Sequence, residues 1–371
     1  MQLTLDLTPM LLRSAGVKNH LYYWTRALLA GRGAHEVRLF PYLKELGALY
    51  HDSGVERGIP DWRLFLVAGF NWPLTHALVR RLIPRAEVFH GSPQMRERPR
   101  CARMTSHIHD LTPWLMPEMH LEANVRAAHQ TAQRVWKGAE GLIAVSASAK
   151  EDAVRVLGLD PERIRVIHHG VPEAFFHVDA EAIARTRNRY GLERGYALVV
   201  GTVEPRKNVD RLLDGWLALP EDVQNDFELV VAGPAGWKSE ATLARLRGQG
   251  RGVRYFGYVQ EADLPGLTAG ATALLYPSLY EGFGFPIAQA MAAGVASVTS
   301  GISSMPEIAA GSALLVDPRS TGEIRDAILR LLTSRDLAGR LGRLGREHAL
   351  THYRWEISAQ RSWEFFESVC S

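Results

Sequence analysis

Along the chain, short unbroken apolar runs alternate with longer stretches whose apolar positions recur every three or four residues. The first pattern predicts strands buried on both faces and the second predicts amphipathic helices. In the first half, "LTLDL", "EVRLF", "AEVFH", "RMTSHIH", "GLIAVS" and "RIRVIHHG" read as strands, with helices over "NHLYYWTRALLA", "NVRAAHQTAQRVWKGA" and "ASAKEDAVRVLG". A second cycle follows "VPEAFF". Its strands are "YALVVGT", "FELVVAG", "VRYFGY", "ATALLYP" and "VASVTS". Its helices are "NVDRLLDGWLAL", "ATLARLRGQ", "PIAQAMAAG", "GEIRDAILRLLT" and "DLAGRLGRLGREHAL", before a last helix, "WEISAQRSWEFFESV". Strands that alternate with helices predict parallel sheets covered on both faces. The expected fold class is therefore α/β, with two Rossmann-like domains facing a cleft into which the carboxyl ends of both sheets direct their loops. The expected division is 1–172 and 173–355, with 356–371 forming a helix that returns to the first domain.

Bulk properties narrow the classes. A chain of 371 residues, 46% hydrophobic and 22% charged, has the make-up of a globular enzyme of two domains. A formal net charge of +3 carries no nucleic-acid signature. Two cysteines, Cys101 and Cys370, make no disulfide framework, so a cytoplasmic location is expected. The start, "MQLTLDLTPMLLRSAG", lacks the basic head and apolar core of a signal peptide. Gly282 to Pro306 carries no formal charge, yet a spanning helix needs about 20 predominantly apolar residues. Gly282, Gly284, Pro286, Gly294, Gly301 and Pro306 cut this segment into loop, short helix and short strand.

Four constellations could carry chemistry. In "VVGTVEPRKNVDRLL" a buried strand ends at Gly201, and Arg206 and Lys207 precede a helix expected to start near Asn208, an N-cap type. Two cations beside a helix N-terminus make a diphosphate site; the bland reading is a solvated turn. In "SLYEGFGFPIAQAM" a second strand-to-helix loop holds Glu281 between glycines, a carboxylate placed to accept hydrogen bonds from vicinal hydroxyls such as a sugar's. Its bland reading is a glycine turn with a solvated Glu. In "SHIHD" the alternating His107 and His109 face one side of a strand. With Asp110 they offer a metallohydrolase's ligand set, a group in a reaction cleft, or plain structural histidines. Finally, Arg80, Arg81, Arg85, Arg96, Arg98, Arg100 and Arg103 form a basic set in the first half, fit for anionic lipid headgroups, an acceptor phosphate, or only a solvated face. Ser304 and Glu307 have capping-box spacing before a helix near Pro306.

"GTVEPRKN", followed by "PSLYEGFGFPIAQAMAAG" and "SSMPEI…ALLVDP", resembles the retaining glycosyltransferases of family 4, which have the two-domain GT-B fold. The resemblance is nearest to the bacterial polysaccharide mannosyltransferases. "HIHDLTP", "AVSASAKEDAVRVLGLDPERIRVIHHGV" and the final "WEISAQ" helix stand in the expected order. The resemblance implies an acceptor-side first domain and a donor-side second domain. It implies that Arg206 and Lys207 hold the donor diphosphate and that Glu281 binds hydroxyls of the transferring sugar. Phe283, Gly284 and Phe285 would contact sugar and phosphate. Gly16 would lie under the phosphates, His109 beside the reacting centre, Tyr258 and Val259 along the base, and Gln289 at the ribose. Three positions depart from the family pattern. Its Glu-x7-Glu pair reads Glu281 and Gln289, its first-loop glycine pair reads Ala15-Gly16, and its "N-G-V-D" reads His169-Gly170-Val171-Pro172.

The expected function is transfer of a mannose-like hexose, with retention, from a nucleotide diphosphate sugar, GDP-linked by preference. The acceptor would be a hydroxyl of a glycan or lipid-linked molecule in cell-surface polysaccharide synthesis. No Asp-x-Asp motif is present, so no metal and no cofactor are expected. Peripheral contact with the inner face of the membrane, through the basic first domain, is a further expectation. The alternatives are a nucleotide-sugar epimerase or sugar phosphorylase on the same scaffold and, more remotely, a metal-dependent hydrolase built on "HIHD".

Overall fold

The computed structural model describes residues 1–12, 16–46, 49, 62–72, 74–83, 85–248 and 252–371. Ala15 and Gln249 therefore lie outside the described residues. The chain forms two units, Met1–Gly170 with Trp355–Ser371, and Val171–Arg354. The crossings are thus at 170–171 and 354–355, where the sequence places them at 172–173 and 355–356.

The first unit carries a six-stranded parallel sheet of β1 (Gln2–Asp6), β2 (Glu36–Phe40), β3 (Ala86–Gly91), β4 (Cys101–Ile108), β5 (Gly141–Ala144) and β6 (Ile164–Val166). Its spatial order is β2-β1-β3-β4-β5-β6, so the winding reverses between β1 and β3. Helix α1 (Gly16–Ala30) packs against the C-terminal helix Trp355–Cys370. Trp24 Nε1 donates to Ser362 Oγ at 3.0 Å, and Trp363 Nε1 donates to the Leu28 carbonyl at 3.3 Å. The return of this helix requires a glycine at 170: a Cβ there would lie 2.4 Å from the Trp355 backbone nitrogen. Two helices that the periodicity does not single out, α2 (Trp62–Asn71) and α3 (His76–Leu82), sit between β2 and β3.

The second unit holds β7 (Gly195–Val200), β8 (Phe227–Ala232), β9 (Val253–Gly257), β10 (Ala273–Tyr276), β11 (Ser297–Ser300) and β12 (Ala313–Val316), in the order β12-β11-β10-β7-β8-β9. Here the reversal falls between β7 and β10. Alternation along the strands divides the core. Ala197, Val199, Leu229, Val231, Ala273 and Leu275 face one layer, whereas Tyr196, Leu198, Val230 and Ala232 face the other. Both sets are buried, which is why these strands read as continuous apolar runs. The helix Val209–Leu217 lays Val209, Leu212, Leu213 and Trp216 on the first face at helical spacing. The edge strand β12 escapes the sequence reading because it is short and only partly buried.

Candidate active site

In an open parallel sheet, the loops on either side of the winding reversal diverge and leave a crevice at the carboxyl ends of the strands. In the second unit these are the loops after β7 and β10, which carry the two motifs singled out above. Arg206 and Lys207 occupy a short 3-10 turn, Pro205–Lys207, and the Arg206 carbonyl accepts from Leu279 N at 2.9 Å, tying one loop to the other. Asn208 takes the N-cap position but does not cap. It adopts a left-handed φ of 59°, and its side-chain amide donates to the carbonyls of Pro277 (3.0 Å) and Pro318 (2.7 Å). The expected cap is thus a brace between three loops.

The two cations converge on Glu281. Arg206 Nη1 stands 2.7 Å from Glu281 Oε2, and Lys207 Nζ stands 2.6 Å from Oε1. Tyr276 OH donates to the same Oε1 at 2.8 Å and receives a hydrogen bond from Lys207. Arg206 also pairs with Glu204 at 2.7 Å and donates to the Tyr280 carbonyl. Glu281 is 6% exposed. Burial raises its pKa, but the adjacent Arg206 and Lys207 overcome that and hold it at about 2. Burial pulls Lys207 below the ordinary lysine range against the opposing pull of Glu281, and pushes the Tyr276 phenol far above its own range. The four charged groups Glu204, Arg206, Lys207 and Glu281 therefore balance in the absence of a ligand.

The loop holding Glu281 is fixed from behind. Ser304 Oγ donates to the carbonyls of Glu281 (2.9 Å) and Phe283 (3.0 Å), and Ser303 Oγ exchanges hydrogen bonds with the Glu281 backbone. Ser304 precedes the helix Met305–Ala309 yet makes no side-chain cap, so the capping-box expectation is corrected. Gly284 then turns the chain at a left-handed φ of 98° into the helix Phe285–Ala292, with Pro286 in its first turn. Phe283 and Phe285 meet edge to face with centroids 5.3 Å apart. Gln289 falls on the second turn of this helix and is half-buried. Tyr258 and Val259 follow β9, two strands from β7, so roughly 10 Å along the sheet edge. Tyr258 is exposed, whereas the Val259 side chain belongs to the core with Leu198 and Val230.

In the first unit, the reversal between β1 and β3 opens a cavity of about 760 Å³. Its walls include Trp72, Trp114 and Trp136, and its polar lining includes Asn71, Gln94 and Asp110. Trp136 Nε1 is buried without a hydrogen-bond partner. His109 lines this cavity, and Arg96 does so as well. Gly16 is the first residue of α1.

The sequence reading passed over Asp6 and took Asp110 for a candidate ligand, whereas both shape turns in this region. Asp6, buried at the end of β1, accepts from Thr8 N (3.0 Å) and Thr8 Oγ1 (2.6 Å) with one oxygen and from Ser92 N (3.1 Å) with the other, joining the loops that flank the reversal. Asp110 repeats the turn at the end of β4, accepting from Thr112 N and Oγ1. The signal was present as a repeated Asp-Leu-Thr-Pro at 6–9 and 110–113.

The "SHIHD" histidines do come together, in company the sequence did not disclose. His20, His90, His107, His109 and His169 form one cluster, and His107 Nδ1 lies 2.6 Å from His90 Nε2. Burial holds all five below the ordinary histidine range, His90 at about 3 and His109, which Asp110 opposes, at about 4. Among the described residues no group of His, Cys, Asp or Glu is arranged to hold a metal ion. The arginine set divides. Arg98 pairs with Glu140 at 2.7 Å and Arg103 donates to the Val369 carbonyl, so neither is available to a lipid surface in this arrangement.

Comparison with known proteins fits these two units. The model of "Glycosyltransferase Family 4" matches residues 14–175, and that of "Glycosyl transferases group 1" matches residues 182–348. The Escherichia coli O-antigen chain mannosyltransferase B is 32% identical over 305 residues, covering 81% of this chain and 74% of that protein. The E. coli serotype-specific mannosyltransferase WbdA is 30% identical over 262 residues; the match takes in 69% of this chain but only 31% of WbdA's length. Among solved structures, Anabaena HepE in complex with UDP-glucose superposes with a TM-score of 0.74 at 17% identity, covering 99% of this chain and 100% of that one.

Proposed function

The chain belongs to family 4 of the glycosyltransferases, with the GT-B fold, and on that premise we propose that it moves a mannose-like hexose from a GDP-linked donor to a hydroxyl of a glycan or lipid-linked acceptor, with retention at the anomeric carbon. The observation that carries this reading is the convergence of Arg206, Lys207 and Glu281 at the winding reversal of the second unit. The two cations are the groups for a diphosphate, and the carboxylate is the group for sugar hydroxyls. On donor binding, phosphate oxygens take over Arg206 and Lys207, and Glu281 turns from them to the hexose.

As the bond between anomeric carbon and phosphate oxygen breaks, negative charge grows on the diphosphate, and Arg206 and Lys207 stabilise it. The diphosphate then accepts the proton of the attacking acceptor hydroxyl. Losing one preorganised contact of this kind costs about 2.7–4 kcal/mol of barrier. Phe283, Gly284 and Phe285 support the sugar and phosphate, Gln289 the ribose, Tyr258 and the Val259 backbone the base, and Gly16 the phosphate side of the first unit. His109, neutral at pH 7 with a pKa of about 4, offers the acceptor hydroxyl a hydrogen bond without adding charge. On this reading the transfer is metal-independent, with Arg206 and Lys207 meeting the charge of the diphosphate in place of a metal ion. Polysaccharide assembly on the cytoplasmic side is the proposed setting; the O-antigen chain mannosyltransferase among the relatives supports the polysaccharide part of it.

The deciding experiment measures sugar transfer and hydrolysis with GDP-mannose and UDP-glucose for the wild type, Arg206→Ala and Lys207→Ala. Each variant should lose roughly a hundredfold or more in turnover while remaining folded, with a lower melting temperature because the buried Glu281 loses one of its two cations. Near-normal turnover in both would reject this placement of the diphosphate, and activity that disappears on exhaustive chelation would reject metal independence.

A further inference from the structure

The α2–α3 hairpin has an unusual outer surface. Among the described residues, the six most exposed large apolar side chains all lie on it: Trp62 (57%), Phe65 (66%), Trp72 (61%), Leu74 (88%), Leu78 (68%) and Leu82 (60%). The spacing makes two stripes. Trp62, Phe65 and Trp72 recur at helical intervals along and just beyond α2, and Leu74, Leu78 and Leu82 recur every fourth residue just before and along α3. The inner face explains how the hairpin holds its shape without them. Val67 and Phe70 are buried, His76 Nδ1 hydrogen-bonds the Phe70 carbonyl at 2.8 Å, and Gly69 lets Val79 approach closely. Apart from Trp62, which stacks on Tyr42, and Trp72, which also lines the cavity, these side chains contribute nothing visible to the core, and an apolar surface of this kind signals a partner.

The charge beside them identifies the partner's chemistry. Arg80, Arg81, Arg85 and Arg100 line one concave surface at the end of α3. None of the four forms an ion pair among the described residues, and the chain has no acidic residue between Trp62 and Ala86. Apolar stripes edged by uncompensated arginines match a bilayer surface, where apolar side chains enter the acyl boundary and arginines meet anionic headgroups. No described helix is long and apolar enough to cross a membrane, so attachment through this hairpin is interfacial.

We propose that the α2–α3 hairpin docks the protein on an anionic lipid surface through Trp62, Phe65, Leu74, Leu78 and Leu82, with Arg80, Arg81 and Arg85 on the headgroups. α2 is shared between this face and the cavity of the first unit, since Leu64, Val67, Ala68 and Asn71 line the cavity from the same helix. Docking thus places the cavity mouth beside the bilayer, where a lipid-linked acceptor resides. That last step rests on the transferase reading; the docking itself does not.

The test is cosedimentation of the full chain, without any sugar nucleotide, with vesicles of phosphatidylcholine alone and of phosphatidylcholine containing phosphatidylglycerol. Binding to the anionic vesicles should exceed binding to the neutral ones. It should fall about thirtyfold in Arg80→Gln/Arg81→Gln, because each basic residue near such a surface contributes about 1 kcal/mol. A residue of binding should persist at roughly 1 M salt, where charges are screened beyond about 3 Å, and should vanish in Leu74→Ser/Leu78→Ser. Brominated acyl chains should quench wild-type tryptophan fluorescence and quench it less in Trp62→Tyr. Equal binding to both vesicles, binding unchanged in both double variants, or no quenching would overturn the proposal. So would a lipid-free dimer that Leu74→Ser/Leu78→Ser dissociates, because it would assign the face to a second copy of the chain. Melting temperatures confirm that the variants, all at exposed positions, remain folded.

Discussion

In the proposed reaction the donor chemistry turns on Glu281, and its ion pairs explain how. Its carboxylate is engaged by both cations proposed for the diphosphate, so on that reading it competes with the donor for them. Removing that charge frees Arg206 and Lys207. Glu281→Gln should therefore bind a free nucleoside diphosphate about tenfold more tightly, a gain of 1.4 kcal/mol, which is a fraction of the about 4 kcal/mol between two charges 4 Å apart near a surface. Turnover should nevertheless fall about a hundredfold or more, because the hexose loses its acceptor group. Calorimetric titration beside steady-state kinetics reads both, and weaker nucleotide binding would show that Glu281 organises the cations rather than opposing the ligand. Gln289 invites the opposite change. A carboxylate accepts hydrogen bonds from two ribose hydroxyls where a glutamine offers one carbonyl, and bonds to a charged group are worth about 1.5–3 kcal/mol against about 1 for a neutral one. Gln289→Glu should keep activity and tighten nucleotide binding severalfold in the same titration.

At the scale of elements, the loop after β10 has the right shape because β11 and the turn after it brace it. Ser303 and Ser304 hold the Glu281 and Phe283 carbonyls from outside the loop. Ser304→Ala should cost about 1 kcal/mol in the stability of the second unit, because the one hydroxyl proton is shared between the two carbonyls. It should raise the donor KM more than it lowers kcat, as chemical denaturation and initial rates would show; an unchanged KM would mean that the loop holds its shape unaided. The helix periodicity of "NVDRLLDGWL" and the strand runs around it were legible, since they depend only on spacing. The role of Ser304 was not, because a serine three residues before a glutamate reads locally as a cap, and only the packing of β10 against β11 brings the Glu281 carbonyl within its reach.

For the molecule as a whole, the cluster of His20, His90, His107, His109 and His169 makes acid the weak side of the first unit. Their folded pKa values lie below the unfolded value near 6.5, so unfolding takes up protons. Their contribution is fully present above pH 6.5 and is lost as pH falls toward the folded values of about 3 for His90 and about 4 for His109. Each contributes up to about 1.4 kcal/mol per pH unit in that window. Scanning calorimetry should show melting falling steeply between pH 6.5 and 5, with His20→Phe making the slope shallower; a melting temperature flat over that range would refute the account. The C-terminal helix is the other whole-chain device. Ending the chain at Arg354 uncovers Trp24 and removes Trp363 and Phe366, so the first unit should unfold while the second still binds nucleotide, as limited proteolysis and titration of the truncated chain would show.

The sequence by itself determined the α/β class, the two sheets and the donor motifs. Burial on both faces forces apolar runs, helix spacing forces periodic stripes, and paired cations before a helix and a carboxylate among glycines are local patterns. The tertiary structure alone decided what those groups do before a ligand arrives. It closed Arg206 and Lys207 on Glu281, recruited Tyr276, Ser303 and Ser304 from other elements, and made Asn208 a brace instead of a cap. It also gathered five histidines from α1, β3, β4 and the segment after β6, and left the stripes of α2 and α3 facing outward. The reason is common to all of these. Spacing along a chain fixes which side chains share a face, whereas which face meets which, and which stays bare, follows only from the order in which the strands are wound.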